Sequence, residues 1–235
     1  MTPYLSRRFP NNDLMLRYDH FPHAFFSDTF IAGSVSKRGN KYVQMYGASF
    51  GWTRAFPMAK KGNTYETLSL LFKRDGVPPE TILDGSKEHI SGKFNKKLKE
   101  ANCHLRQTDT YSPWSNAAEG TICETKKVSS RKIICTGSPN KLRNRCLELE
   151  ALICLNNALD IYMIDGEVPE TVMKEQASDI SNFCEFSRYQ WVRFHEVPVQ
   201  YPVGNLVLGR YLGPAQYVGT EMTSKTLKAN GEIFP

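Results

Sequence analysis

Three acids stand out by what surrounds them. Asp28 lies inside the apolar run FFSDTF, between Phe26 and Phe30, where a carboxylate's desolvation has to be compensated. Asp84 closes the short apolar segment TILDG, and Glu119 sits in SPWSNAAEG with Lys126 and Lys127 two helical turns further on. Gathered in one place, three carboxylates repel one another and resist joint ionisation. A divalent cation removes that repulsion, and magnesium is commonly held by one or two protein carboxylates together with waters and substrate phosphate. Two such ions, about 3.5–4 Å apart, support an in-line displacement at phosphorus. The chemistry this trio suggests is therefore phosphodiester cleavage or transfer. Taken singly, each acid also has a plain structural use: Asp28 as an edge carboxylate in water, Asp84 as a turn residue before Gly85, Glu119 as a favourable charge at a helix start.

Charge placement supports an anionic substrate. From Cys123 to Arg145 the chain carries seven bases (Lys126, Lys127, Arg131, Lys132, Lys141, Arg143, Arg145) against Glu124 alone, a local excess equal to the net charge of +6 of the whole 235-residue chain. A merely solvated helix face would interleave acids with its bases, whereas a basic stretch with almost none attracts a polyanion such as nucleic acid. The composition, 40% hydrophobic and 23% charged, is that of a globular protein with a core of ordinary size. No apolar run approaches the roughly 18 residues of a membrane span, so a membrane is not an expected partner. The opening MTPYLSRRFPNNDLMLRYDH lacks the pattern of a secretory signal. With six cysteines scattered and none paired at metal-ligand spacing, an intracellular, reduced protein is expected.

Elements able to position the acids follow from periodicity. FFSDTFIAG, KYVQMYGAS and GWTRAFPM read as three strands joined by short turns, an antiparallel meander. NTYETLSLLFKRDGVPP places Leu68, Leu71 and Phe72 at helical spacing and ends at Gly76 and Pro78. TILDG reads as a brief buried strand, SGKFNKKLKEANC as a helix burying Phe94, Leu98 and Ala101, and HLRQT as a further strand. Ser112 with Pro113 is the expected start of the helix carrying Glu119. KLRNRCLELEALICLNNALD, with Leu142, Cys146, Leu149, Ile153 and Leu155 near one face, reads as a last core helix. After about Asp160 the chain mixes Pro and Gly with strand-like pieces, among them YQWVRFH, NLVLGRYL and AQYVG. This order argues for a layered α/β domain followed by a β-rich extension. Small residues flanking Glu119 are expected to leave room for a metal and an anionic backbone.

The blocks FFSDTF, TILDGSKEH and SPWSNAAEG, with PETVMKEQASDISNFCEF, LGRYLGPAQYVG and LKANGEIF downstream, resemble the integrase region of copia-type long-terminal-repeat retrotransposon polyproteins, and through it the retroviral-type integrase core. The likeness runs through nearly the whole chain after about Leu16. It implies an α/β fold with a ribonuclease H-like core, a mixed sheet of about five strands flanked by helices, over residues 21–158, after an N-terminal lead at 1–20 and before a β-rich C-terminal extension at 159–235. It implies Asp28, Asp84 and Glu119 as catalytic, metal-binding residues holding two magnesium ions, with manganese as a substitute. Lys126 matches the lysine that approaches the element DNA in that family, and Lys127, Arg131 and Lys132 extend the DNA-binding surface. The reactions implied are trimming of an element's DNA ends by water and joining of the 3′-hydroxyls to target DNA, by a homo-oligomer in the nucleus or in a retrotransposon particle. Many relatives carry Asp-Asn-Gly where this chain has Asp84-Gly85-Ser86, and the interval to the glutamate is commonly one residue longer. His20 and His23 lie close together, but the first cysteine is Cys103, so no zinc module is expected. Two other readings stay open: a catalytically decayed, nucleic-acid-binding remnant of a polyprotein, and a nuclease of the same fold with no joining step.

Overall fold

The first strand of the core has neighbours on both sides, and that places its acid at the centre of the sheet. In the computed structural model, which describes residues 18–84, 92–108, 117–146, 156, 166–175, 177, 180, 185–195, 206–215 and 223–234, β1 (Phe25–Ile31), β2 (Tyr42–Ala48) and β3 (Thr53–Met58) form the expected antiparallel meander. Two shorter strands, β4 (Glu80–Leu83) and β5 (His104–Gln107), add in parallel on the other side of β1, giving the order β3-β2-β1-β4-β5. Parallel neighbours need a crossover. Helix α1 (Thr64–Arg74) lies in the connection from β3 to β4, and α2 (Gly92–Glu100) in that from β4 to β5.

Alternation along the strands divides the core into two layers. Phe25, Tyr46 and Leu83 turn to one face and pack with Leu68, Leu71 and Phe72 of α1 and Phe94 and Leu98 of α2. Phe30, Val43, Met45 and Ala55 turn to the other and meet Ile122 of the long helix α3 (Ala118–Thr136). Every residue of β2 after Tyr42 is buried because helices cover both faces. Each apolar side chain fully withdrawn from water in this way contributes about 1.5–3 kcal/mol. Helix α3 stops at Gly137, whose φ of 64° lies in the left-handed region that suits glycine at a C-terminus. Ser112 and Pro113 lie outside the described residues, and the described helix starts at Ala118. Of the expected last helix, a 3-10 turn at Asn140–Leu142, a helical turn at Arg143–Arg145 and the helical Asn156 are described. Asn156 closes part of the β3 edge, accepting from Thr53 N at 3.0 Å and donating to Thr53 O at 2.8 Å.

Downstream, the short helix α4 (Pro169–Lys174) packs Met173 into the core. A second, wholly antiparallel sheet follows in the order β6 (Trp191–His195), β7 (Leu206–Pro214), β8 (Ser224–Leu227), β9 (Ile233–Phe234). Arg145 Nη2 donates to Pro214 O at 2.9 Å and Arg188 Nη2 to Leu142 O at 3.0 Å, tying this sheet to the core. The last two strands were not among the expected pieces. Their signal is the Asn230–Gly231 pair, a strong hairpin cue; Gly231 has φ 82° and Lys228 N donates to Glu232 O across the turn. Of AQYVG, Ala215 is described and follows β7 directly, while 216–219 lie outside the described residues.

A candidate carboxylate site between the first strand and the long helix

Asp28 occupies the middle of β1 opposite Met45 of β2, on the face that receives α3. It is half-buried, and Thr29 N donates to its Oδ1 at 2.6 Å, which sets the orientation of the carboxylate. On the other side the parallel register runs Phe25 to Thr81, Phe26 to Ile82 and Ser27 to Leu83. Asp84 is the residue after the last pair of that ladder, as Asp28 is on β1, so the two backbones run on side by side, about one interstrand spacing of 4.8 Å apart. Asp84 is half-buried, with its Oδ1 shielded from solvent. Thus one acid lies in β1 and a second directly after the neighbouring strand β4.

The third arrives on α3. Ala118, Ile122, Thr125, Ser129 and Ile133 form the buried stripe of that helix, a spacing of three and four that seats it on the sheet. Glu119 flanks the stripe in the first turn, exposed, where the helix dipole favours a negative charge. Asp28 and Glu119 line one cavity of about 320 Å³, together with Phe30, Ile122, Cys123 and Lys126. Asp84 does not line it. Among the described residues no group of three or more His, Cys, Asp and Glu side chains is gathered closely enough to hold a metal ion, so the structure brings Asp28 together with Glu119, and Asp84 beside Asp28, without closing all three into one cluster.

The bases divide in the same way. Lys126 shares the cavity with Glu119, as its seven-residue offset requires, and its Nζ lies 4.7 Å from the centre of the Phe30 ring. Lys127 turns aside: its Nζ donates to Glu124 Oε1 at 2.7 Å, and that bond, with the nearby negative charge, raises its pKa. Arg131 is exposed and Lys132 half-buried, five and six residues beyond Lys126 along α3. The small residues on either side of Glu119 differ in their surroundings. Ala118 is small because it is packed at 1% exposure, whereas a Cβ added at Gly120 would meet nothing within 4 Å, so open space does lie next to Glu119. His23 packs edge-on against Phe50, and His20 pairs through its backbone with Val77. Cys123 went unnoticed in the sequence as a cavity residue, although its four-residue offset from Glu119 on a helix was the available cue.

The donor set suits a hard divalent cation. All three candidate ligands are carboxylates, which match magnesium or manganese rather than a soft metal, and two of them open onto a common space with an oriented Asp28 oxygen.

The sequence matches no family model and no curated protein. Solved structures do match. The catalytic core domain of HTLV-2 integrase in complex with magnesium aligns with a TM-score of 0.51 at 14% identity, over 65% of this chain and 97% of that one. The BIV integrase catalytic core aligns with a TM-score of 0.50 at 14% identity, over 65% and 94%. The fold is that of a retroviral integrase catalytic core, ribonuclease H-like. A third neighbour, the simian T-cell lymphotropic virus intasome in complex with the PP2A regulatory subunit B56 gamma, aligns with a TM-score of 0.54 at 12% identity over 92% of this chain and 77% of that one. Coverage of that extent takes in the C-terminal sheet as well as the integrase-like core.

Proposed function

We propose that this chain is the catalytic part of a divalent-metal-dependent DNA integrase, from a copia-type long-terminal-repeat retrotransposon. The observation that carries the proposal is the meeting of Asp28 and Glu119 in one cavity with Lys126, on an integrase fold whose strand register sets Asp84 beside Asp28. Asp28, Asp84 and Glu119 would hold magnesium, or manganese in its place, at two positions. The bound metal supplies activation of the attacking oxygen and stabilisation of the leaving one. The side chains of this chain would bring the rest: three carboxylates, from β1, from the residue after β4 and from α3, and the Lys126 ammonium held over Phe30 where it can meet a phosphate of the element DNA. Arg131 and Lys132 extend that contact along the helix. In end processing, a water oxygen bonds to phosphorus as the bond to the 3′-oxygen breaks, leaving a 3′-hydroxyl. In joining, that hydroxyl attacks a phosphodiester of the target and displaces its 3′-oxygen. No covalent enzyme intermediate is required.

One chain holds one such site, and inserting both ends of a DNA molecule needs two. The proposal therefore includes a homo-oligomer acting in the nucleus or in a retrotransposon particle; among solved neighbours, the HTLV-2 core is described in trimeric and dimeric forms and the simian virus protein in an intasome. No described helix is long and apolar enough to cross a membrane. The test is strand transfer of a labelled DNA end into a plasmid. Asp28→Asn, Asp84→Asn and Glu119→Gln are each expected to lower joining roughly a hundredfold or more while DNA affinity in EDTA is retained. Joining at the parental rate in any of the three removes that residue from the assignment. A second reading, a nucleic-acid-binding remnant that has lost joining, draws on the open arrangement in which the three carboxylates do not form one cluster. It is distinguished by magnesium titration: a remnant binds DNA with no magnesium binding that depends on these carboxylates.

A further inference from the structure

A second cavity lies where the core meets the C-terminal sheet. Its volume is about 240 Å³. The hairpin between β1 and β2, the turn after α3, and the strands β8 and β9 all contribute to its walls. Among the described residues, five cationic side chains line it, Lys37, Arg38, Lys141, Arg145 and Lys225, and no acidic one does. These cations come from three segments remote in sequence, so the concentration of charge is a product of the fold. The charge survives the desolvation and mutual repulsion of the cations only because most of them are open to water, where an anion can reach them.

Hydrogen bonds to backbone carbonyls hold two of the segments together before any ligand arrives. Lys37 N donates to Lys141 O at 3.2 Å, Ser34 Oγ to Asn140 O at 2.9 Å, and Asn144 Nδ2 to Asn40 O at 3.1 Å. Lys37 also reaches the second sheet, for its Nζ lies 3.9 Å from where a Cβ on Gly231 would stand. Behind the wall, Arg188 is 4% exposed and donates to Leu142 O, and its Nε and Nη1 find no acceptor among the described residues. A further positive charge thus stands behind the rim.

The floor is of another character. Phe56, Leu70, Leu142 and Ile233 make it apolar, and Leu70 is 52% exposed although it belongs to a core helix. A duplex backbone would satisfy the rim and leave that floor against water. An unstacked nucleotide satisfies both, setting its base on apolar side chains and its phosphate among lysines and arginine. A cavity of this volume is of nucleotide size. We infer that this cavity seats one nucleotide of a single-stranded nucleic-acid segment, at a position separate from the carboxylate cavity. β1 joins the two places: Asp28 is at its middle, and four residues of extended chain, about 13 Å, lead from there to Ala32 at the mouth of the hairpin that carries Lys37 and Arg38.

The experiment is fluorescence anisotropy of a labelled (dT)12 strand with the full chain in EDTA, repeated with a duplex of the same length and with dTMP and inorganic phosphate as competitors. The double variant Lys37→Glu/Lys141→Glu is expected to weaken the single strand about tenfold or more, and Leu70→Ala about threefold for the single strand with the duplex unchanged. Unchanged affinity in the charge-reversed variant overturns the inference, and so does equal loss for strand and duplex in Leu70→Ala. Binding of dTMP without binding of the strand also overturns it. Because no metal and no joining step enter the assay, failure of the carboxylate assignment leaves this result untouched, and the reverse holds as well.

Discussion

Lys126 and Lys127 are neighbours of one residue type, yet they do different things. A helix turns about 100° per residue, so one lysine returns to the Glu119 face and the other leaves it for Glu124. Lys126→Ala is expected to weaken binding of a DNA end several-fold and to lower the salt dependence of that binding by about one phosphate contact. Lys127→Ala should leave both within about twofold, because it breaks only an exposed ion pair, which is worth little. Affinity titrations at several salt concentrations check this, and equal losses in the two variants would place the contact elsewhere. The desolvation cost of an aspartate within FFSDTF pointed to Asp28 from the sequence. That Cys123 joins the cavity, and that Lys127 is occupied, depends on which way each side chain turns.

At the scale of elements, the short helix α4 is fastened to the core by a buried ionic network. Arg54 of β3 bonds Asp75 at the end of α1 at 3.1 Å and Glu170 of α4 at 2.9 Å, and Trp52 Nε1 donates to Glu170 Oε2 at 2.9 Å. Burial alone would raise the pKa of Glu170, but Arg54 and Lys174 outweigh it and hold it below the ordinary carboxylate value. Removing one partner leaves the others charged and buried, so Glu170→Ala is expected to cost about 3–5 kcal/mol in denaturant unfolding. Because the folded pKa is depressed, the stabilisation is complete above the unfolded carboxylate pKa and is lost as pH falls through the folded value. The stability gap between parent and Glu170→Gln should stay constant from neutrality to about pH 5 and narrow in acid. A gap independent of pH would show that Glu170 acts through packing alone. Helical periodicity made Leu68, Leu71, Phe72, Phe94 and Leu98 readable as core, and all five are buried. The link from Arg54 to Glu170 spans 116 residues, and no local pattern announces it.

At the scale of the molecule, the carboxylate cavity with Lys126 and the basic cavity between the core and the second sheet are separate places, and the proposed function rests on the first. A single chain offers one set of Asp28, Asp84 and Glu119, so complexes on a DNA end are expected to contain more than one copy. Light scattering on the purified complex checks this. A one-to-one complex at every concentration would count against concerted joining of two ends.

The amino-acid sequence by itself determined the strand meander, the alternation that follows it, the amphipathic helices and the short list of acids worth following, because periodicity, turn chemistry and desolvation are local properties of the chain. Only the tertiary structure decided that Asp28 and Glu119 share a cavity while Asp84 stands beside Asp28 through the β1–β4 register. It alone gathered Lys37, Lys141 and Lys225 around one apolar floor. The reason is physical: register and packing are set by contacts between residues far apart along the chain, and whether charges meet depends on which sides of those elements face each other.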